Sequence, residues 1–387
     1  MMRILDRYLL RSFLVNYALS LFVLISLYVV LDLSFNADEF TESMTDGPQQ
    51  QSSFLGGVLK VVGNIIDYYV FNIPLYFAQL AGVITLFAAC VTLARLQRQN
   101  EVTAVLSSGT SMYRLAMPII FAGLAMNALL ILDQELLIPG IAPKLARPRD
   151  NVEGARIHRD LWYIKDADGR LFSAQEFSPK EQEITGLIVL DRFTDLSDAA
   201  NYGQLRSVIR ADRARWDERN GGWALTQRGF RLDISRQAES VMTDVGEKLT
   251  PVATDFYKTD LSPANLLLRK SAQWLDFLSL GQIKLLQKRG DVDPIRVARI
   301  RHTRFTLPIS NMVLLLLGIP FFMNRLPGNV LGQGAKALAI CAIAFLTTFL
   351  GQQVVGTTGG FWQALPYWLP VFIFGPIAVL LLDNVDT

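Results

Sequence analysis

Six stretches of this sequence are apolar for long enough to cross a bilayer, at about residues 13–33, 73–93, 115–137, 305–323, 337–354 and 365–382. A spanning helix needs about 20 mostly apolar residues, because every backbone polar group must be satisfied inside the segment. These stretches fall three and three, separated by a long segment of lower hydropathy. The fifth carries Thr347, Thr348, Gln352 and Gln353. Polar groups are costly against lipid, so these four are expected to face other helices or a cavity.

Composition agrees with a mixed architecture. Of 387 residues, 51% are hydrophobic and 19% charged, with a mean hydropathy of +0.29. That is too apolar for an ordinary soluble chain and too dilute for one that is all membrane. A net charge of +2 without a clustered basic face argues against a nucleic-acid binder. Cys90 and Cys341 sit in separate apolar runs and form neither a disulfide framework nor a metal site. The first apolar stretch is long enough to span, and no A-x-A pattern follows it, so it is expected to be a retained helix rather than a cleaved signal.

Lys and Arg in short flanks orient the spans. Arg3, Arg7 and Arg11 precede the first span; Arg95, Arg98 and Arg114 lie between the second and third; Arg325 and Lys336 lie between the fourth and fifth. After the first span the chain carries Asp38, Glu39, Glu42 and Asp46 before Lys60, and the turn at 355–361 is uncharged. Both termini are therefore expected inside and the large middle segment outside. Residues 54–69 are amphipathic and read as an interfacial helix on the outer face, the alternative being an extension of the second span.

In the middle segment the period changes. LWYIKDADGRLF places two short apolar runs around Asp168-Gly169, and the alternating run ending in WDERNGGWALTQ turns at Asn220-Gly221. Such dipeptides between β-rich runs signal hairpins. Turn signals about every ten residues predict a β-sandwich or jelly roll. Ser279 is placed to start a short helix and Gly290 to end it.

Motifs for self-contained chemistry are missing. There is no G-x-x-x-x-G-K-[ST], G-x-G-x-x-G after a strand, H-E-x-x-H or G-x-S-x-G, and His158 and His302 have no acidic neighbours at ligand spacing. No cofactor or metal is expected. The segment ARLQRQNEVTAVLSSGTSMYRLAMPI, between the second and third spans, suits a helix closed by Ser107-Ser108-Gly109, with Arg98 and Glu101 exposed. It is either a solvated connector or the surface through which a membrane subunit receives force. Basic residues also dress the outer boundary: Lys144, Arg147 and Arg149 after the third span, and Arg296, Arg299, Arg301 and Arg304 before the fourth. Arginine forks bind phosphate bidentately, which makes Lys144, Arg147, Arg149, Arg299, Arg301 and Arg304 candidate contacts for an anionic lipid head group. Snorkelling to bilayer phosphates accounts for them equally well.

The start LDRYLLRSFL, the turn RLQRQNEVTAVLSSGTSMYRLAMPI, the region DLSPANLLLRKSAQWLDFLSLGQI and the run LPISNMVLLLLGIPF together resemble the LptF/LptG (YjgP/YjgQ) permease family over essentially the whole chain. The LDRY start leans towards the LptG branch. The resemblance implies an α-helical polytopic membrane protein of six transmembrane helices with an inserted all-β, jellyroll-like periplasmic domain. The organisation would be 1–150 for the first three spans and a coupling helix, 151–275 for the β domain, 276–304 for a helical connector and 305–387 for the last three spans. It implies a permease subunit of an ABC transporter that exports lipopolysaccharide from the bacterial inner membrane. The implied partners are an LptB-like ATPase dimer, a second LptF/LptG-type permease and LptC/LptA-like periplasmic proteins. A family glutamate in the coupling helix that contacts the ATPase matches Glu101, with Arg98, Ser108 and Gly109 around it. A family lysine late in the first helix matches Asp32, a departure, because a carboxylate cannot take a lysine's place against an anionic lipid. The rival reading is a membrane-anchored periplasmic binding or scaffold protein that transports nothing.

Overall fold

The computed structural model describes residues 4–42, 54–146, 157–166, 169–193, 203–234, 251–271, 273–288, 292–323, 330–353 and 361–383. The chain divides into two compact units: Met1–Phe35 with Asn72–Gly140 and Pro294–Thr387, and Asn36–Phe71 with Ile141–Asp293.

Six helices among the described residues are long and apolar enough to cross a membrane. The first is α1 (Ile4–Glu42), interrupted at Asn36 by a non-helical φ of −125°. The second is α2 (Phe54–Arg98), with Pro74 inside it. After α3 (Glu101–Ser107), α4 (Met112–Leu132) runs through a π-helical turn, Asp133–Leu137, into α5 (Ile138–Leu145). The amphipathic residues 54–69 are thus not a separate interfacial helix. They are the first turns of α2, because nothing in 54–73 breaks the helical hydrogen-bond ladder and an amphipathic face is compatible with either arrangement.

The helical unit packs by close approach of small residues, the usual means where lipid removes the hydrophobic drive. A Cβ on Gly82 of α2 would collide with the Asn311 side chain, one on Gly123 of α4 with Leu315, and one on Gly318 with Leu86. Asn311, Leu315 and Gly318 belong to a later helix, Pro294–Gly318, so three helices share these contacts. Asn311 Nδ2 donates to Asn127 Oδ1 at 3.3 Å, and Asn127 Nδ2 donates to the Gly123 carbonyl. Buried amides satisfied in this way fix register. The four polar residues of the fifth span do not all face inward as expected. Thr348 is buried, but Gln353 is exposed. Thr347 tolerates exposure by donating its hydroxyl to the Ile343 carbonyl one turn back.

The second unit holds an antiparallel sheet. Its strands are β1 (His158–Lys165), β2 (Leu171–Ser178), β3 (Glu183–Arg192), β4 (Leu205–Asp217), β5 (Gly222–Gln227), β6 (Phe230–Asp233), β7 (Val252–Ala253) and β8 (Phe256–Lys258). β1 to β5 pair in chain order and β8 closes on β5. β4 pairs both β5, at Trp216↔Trp223, and β6, at Val208↔Leu232. β5 and β6 are therefore two halves of one bent strand, broken at Arg228-Gly229, where Arg228 has φ +46°. β7 and β8 follow the same break, pairing β6 and β5 respectively. The strand order, open from sequence, is a meander. Both expected hairpins are present, with Gly169 and Gly221 at positive φ.

Alternation buries one face. The core joins Phe172, Phe177, Ile184, Leu187, Val189, Trp223, Tyr257, Leu261 and Leu266. Ile184 and Leu187 are three apart yet both point inward; Gly186, at φ +67°, takes up the change of face between them. Trp223 donates its indole N–H to the Leu261 carbonyl at 3.0 Å. Directly after β1, the buried Asp166 accepts from the Tyr257 hydroxyl at 2.5 Å and from Thr259 Oγ1 at 2.6 Å. Burial, then the neighbouring Asp166 charge, pushes the Tyr257 phenol above its ordinary range, so it stays a donor.

Short helices follow. α6 (Pro263–Lys270) is capped by Ser262 with Pro at its start. α7 (Leu280–Lys288) begins on a reciprocal cap, Gln282 N–H to Ser279 Oγ at 3.2 Å and Ser279 N–H to Gln282 Oε1 at 3.0 Å, as expected of a capping box. Gly290 lies outside the described residues. The chain then enters α8 (Pro294–Gly318), α9 (Val330–Gln353) and α10 (Phe361–Asp383). The fourth span begins at Pro294, so Arg296, Arg299, Arg301 and Arg304 lie on its first turns rather than in a connector.

Candidate functional site: the turn between the second and third spans

The segment 98–111 is ordered by its own polar side chains. Asn100 sits in the left-handed region at φ +58°, a conformation Asn adopts more readily than most residues. Its carbonyl accepts the first hydrogen bond of α3, from Ala104 N–H. At the other end Ser107 Oγ donates to the Ala104 carbonyl at 2.9 Å and Ser108 Oγ to the Val105 carbonyl at 2.6 Å, satisfying carbonyls that a helix end leaves open. Gly109, at φ +78°, then releases the chain, and Ser111 precedes α4.

The expected helix is shorter than the sequence suggested. Arg98 is the last residue of α2, and α3 is only Glu101–Ser107. The positive φ at Asn100 separates them, and apolar spacing does not register a one-residue break. One face of the turn is anchored: Leu96, Val102, Met112 and Leu115 are all buried. The other face presents Arg98, Thr103, Ala104, Ser107, Ser108 and Gly109 to solvent. Glu101 lies between the faces, and both its carboxylate oxygens accept from the Tyr8 hydroxyl of α1 at 3.1 Å. A small polar platform on a buried foot can be pushed as a unit.

The family profile described as "Lipopolysaccharide export system permease LptF/LptG" matches residues 52–384, and this range contains the turn, the sheet and five of the six spans. The chain belongs to the LptF/LptG family. The match covers both branches together and does not assign the chain to one. Among curated proteins none matches the chain. Family membership and the six apolar helices make this LptF/LptG protein a multi-pass inner-membrane permease of lipopolysaccharide export, a transporter subunit rather than a catalyst in itself.

The candidate head-group residues separate. Lys144 is exposed, with Nζ 3.8 Å from the centre of the Phe71 ring. Arg301 is exposed and Arg299 half-buried. Arg304 is committed elsewhere: its Nη1 donates to Glu135 Oε1 at 2.7 Å, with the guanidinium side chain 9% exposed. Arg147 and Arg149 lie outside the described residues, and Asp32 is half-buried on α1.

Sequence reasoning passed over Glu135 and its neighbour Asp133, which is buried in the π-helical turn. Two carboxylates inside an apolar run were the available signal, since ionisable residues in spans are rare and usually paired. Tyr8 was also missed, and nothing in the sequence links it to Glu101.

Proposed function

We propose that this chain is a permease subunit of an ABC-type exporter that extracts lipopolysaccharide from the inner membrane and passes it towards the outer membrane, driven by a separate ATPase dimer docked on α3. The observation that carries the reading is the platform at 98–111, a short capped helix with a buried foot and an exposed polar face. Each buried CH₂ of an acyl chain is worth about 0.8 kcal/mol, so lifting a lipid with several chains far exceeds thermal energy. The chain carries no Walker A motif, and the work is supplied by its partner. The positive-inside bias puts both termini and α3 in the cytoplasm and the β domain in the periplasm.

A second LptF/LptG-type permease completes the cavity. Of the hydrophobic windows, the first, fifth and sixth spans are 17%, 22% and 17% buried by their own chain, against 61% for the second. The thinly covered spans supply a surface for that partner and for lipid. Lys144, Arg299 and Arg301 meet anionic head groups, and LptC/LptA-like proteins receive the cargo from the β domain.

A non-transporting scaffold has no use for a platform of this kind on the cytoplasmic side. Glu101→Lys in the purified complex tests the reading. Assembly with the ATPase and lipid release are both expected to fall. If both stay unchanged, the coupling role of α3 is wrong.

A further inference from the structure

The Tyr8–Glu101 hydrogen bond joins residues 93 positions apart and ties α3 to the cytoplasmic start of α1. The two oxygens of Glu101 lie equally far from the phenol, at 3.1 Å each, so the hydroxyl straddles the carboxylate. Tyr8 itself is 41% exposed and contributes little to the core. Around it α1 is gripped by a single stripe: Leu9, Phe13, Asn16, Tyr17 and Ser20 are buried, at a spacing that keeps one helix face towards the protein. Within that stripe Asn16 Nδ2 donates to Thr92 Oγ1 of α2 at 2.8 Å. Beyond Ser20, among residues 21–36, none is buried. Among the described residues α1 is thus held most firmly from Leu9 to Ser20, while residues 21–36 are only partly covered, with the Tyr28 ring 4.4 Å from that of Tyr76 on α2.

We propose that Tyr8 is a positioning residue for coupling: by holding the Glu101 carboxylate it makes α1 move with α3, so that force applied to the platform reaches the first span. This inference rests on the proposed docking of an ATPase at α3 and adds the route by which the push leaves it. A push on α3 alone, without the tie, would be absorbed at the two left-handed residues that flank it, Asn100 and Gly109. With the tie, displacement of Glu101 drags the start of α1. The stretch 21–36, in which no residue is fully buried, then shifts with it against lipid or the partner permease, with Tyr28 sliding on Tyr76.

The experiment uses Tyr8→Phe, which keeps the ring and removes the donor. In the detergent-solubilised chain alone, amide hydrogen exchange of Glu101–Ser107 is expected to rise roughly two- to tenfold, the range of one net hydrogen bond. In the complex reconstituted with its ATPase and partner permease, assembly and ATP hydrolysis are expected to persist. Lipid released per ATP is expected to fall, a change that a merely structural role would not produce in an assembled complex. In a Glu101→Ala background, which has no acceptor for the phenol, Tyr8→Phe is expected to lower that ratio by less than it does alone. Unchanged exchange, or an equal loss in both backgrounds, overturns the inference. If Glu101→Lys leaves assembly and release intact, the docking reading itself fails, whatever Tyr8 does. If Glu101→Lys impairs them and Tyr8→Phe does not change the lipid-to-ATP ratio, only the tie is wrong.

Discussion

Gly82 and Gly63 lie on the same helix, α2, in opposite circumstances. A side chain at Gly82 meets Asn311 at once, whereas one at Gly63 meets nothing within 4 Å. Gly82→Val is therefore expected to cost about 1–3 kcal/mol by overpacking and to lower the thermal midpoint of the detergent-solubilised chain. Gly63→Ala, freed of helical glycine's entropy penalty, is expected to be neutral or stabilising by about 0.5–1 kcal/mol. Equal effects at the two positions would refute the close contact of α2 with α8. The Arg304–Glu135 pair behaves differently, because removing one member strands the other in a membrane-spanning segment. Arg304→Ala is expected to cost on the order of 2–3 kcal/mol, allowing for a Glu135 side chain that is 29% exposed. Arg304→Leu combined with Glu135→Leu is expected to recover most of that loss, as measured by thermal unfolding of the single and double variants. If the double variant is no better than the single, the arginine has a task beyond neutralising Glu135.

At the scale of elements, sequence legibility follows the length of the signal. The six spans and both hairpins are legible because about 20 apolar residues, or a turn dipeptide between alternating runs, leave few alternatives. The caps at Ser262 and Ser279 are legible for a related reason: Ser followed by Pro, or by Gln three residues on, is local chemistry. The break at Asn100 and the continuity of α2 through residues 54–69 are not. One residue of unusual φ does not disturb apolar periodicity, and an amphipathic stripe looks alike in a free helix and in a helix extension. The Glu101 partner and the Asn127–Asn311 pair depend on tertiary approach across long sequence separations, where no local rule operates. The sheet carries its own prediction. Tyr257 is held as a neutral phenol by burial and by Asp166, whereas in the unfolded chain it titrates near pH 10. The folded state then binds the proton more tightly, so this contribution is intact below about pH 10 and is lost as pH rises further. Alkaline unfolding of the β domain, followed by tryptophan fluorescence, is expected to steepen above that pH. In Tyr257→Phe this steepening is expected to be reduced, from a lower starting stability. An identical alkaline profile in the variant would show that Tyr257 is not the titrating group.

At the scale of the whole molecule, the proposed mechanism requires the platform and the sheet to lie on opposite sides of one membrane. In that mechanism force would enter at Glu101–Ser107 and cargo would leave by the β domain, so a chain with both on one side cannot work as described. The charge bias of the flanks supports opposite sides through Arg95, Arg98 and Arg114 near the platform and the uncharged turn at 355–361 on the far side. Ser108 and Glu218 are exposed in their own units and can each be replaced by cysteine. The native thiols, Cys90 half-buried and Cys341 buried, lie within spans and give a low background. In intact cells whose outer membrane has been permeabilised, a membrane-impermeant maleimide is expected to label Glu218→Cys and to spare Ser108→Cys. In inside-out inner-membrane vesicles the pattern is expected to reverse. Labelling of both positions from the same side would invert or dismantle the topology. It would also remove the physical basis for carrying work from a cytoplasmic ATPase, through α3 and the first span, to a lipid on the opposite face.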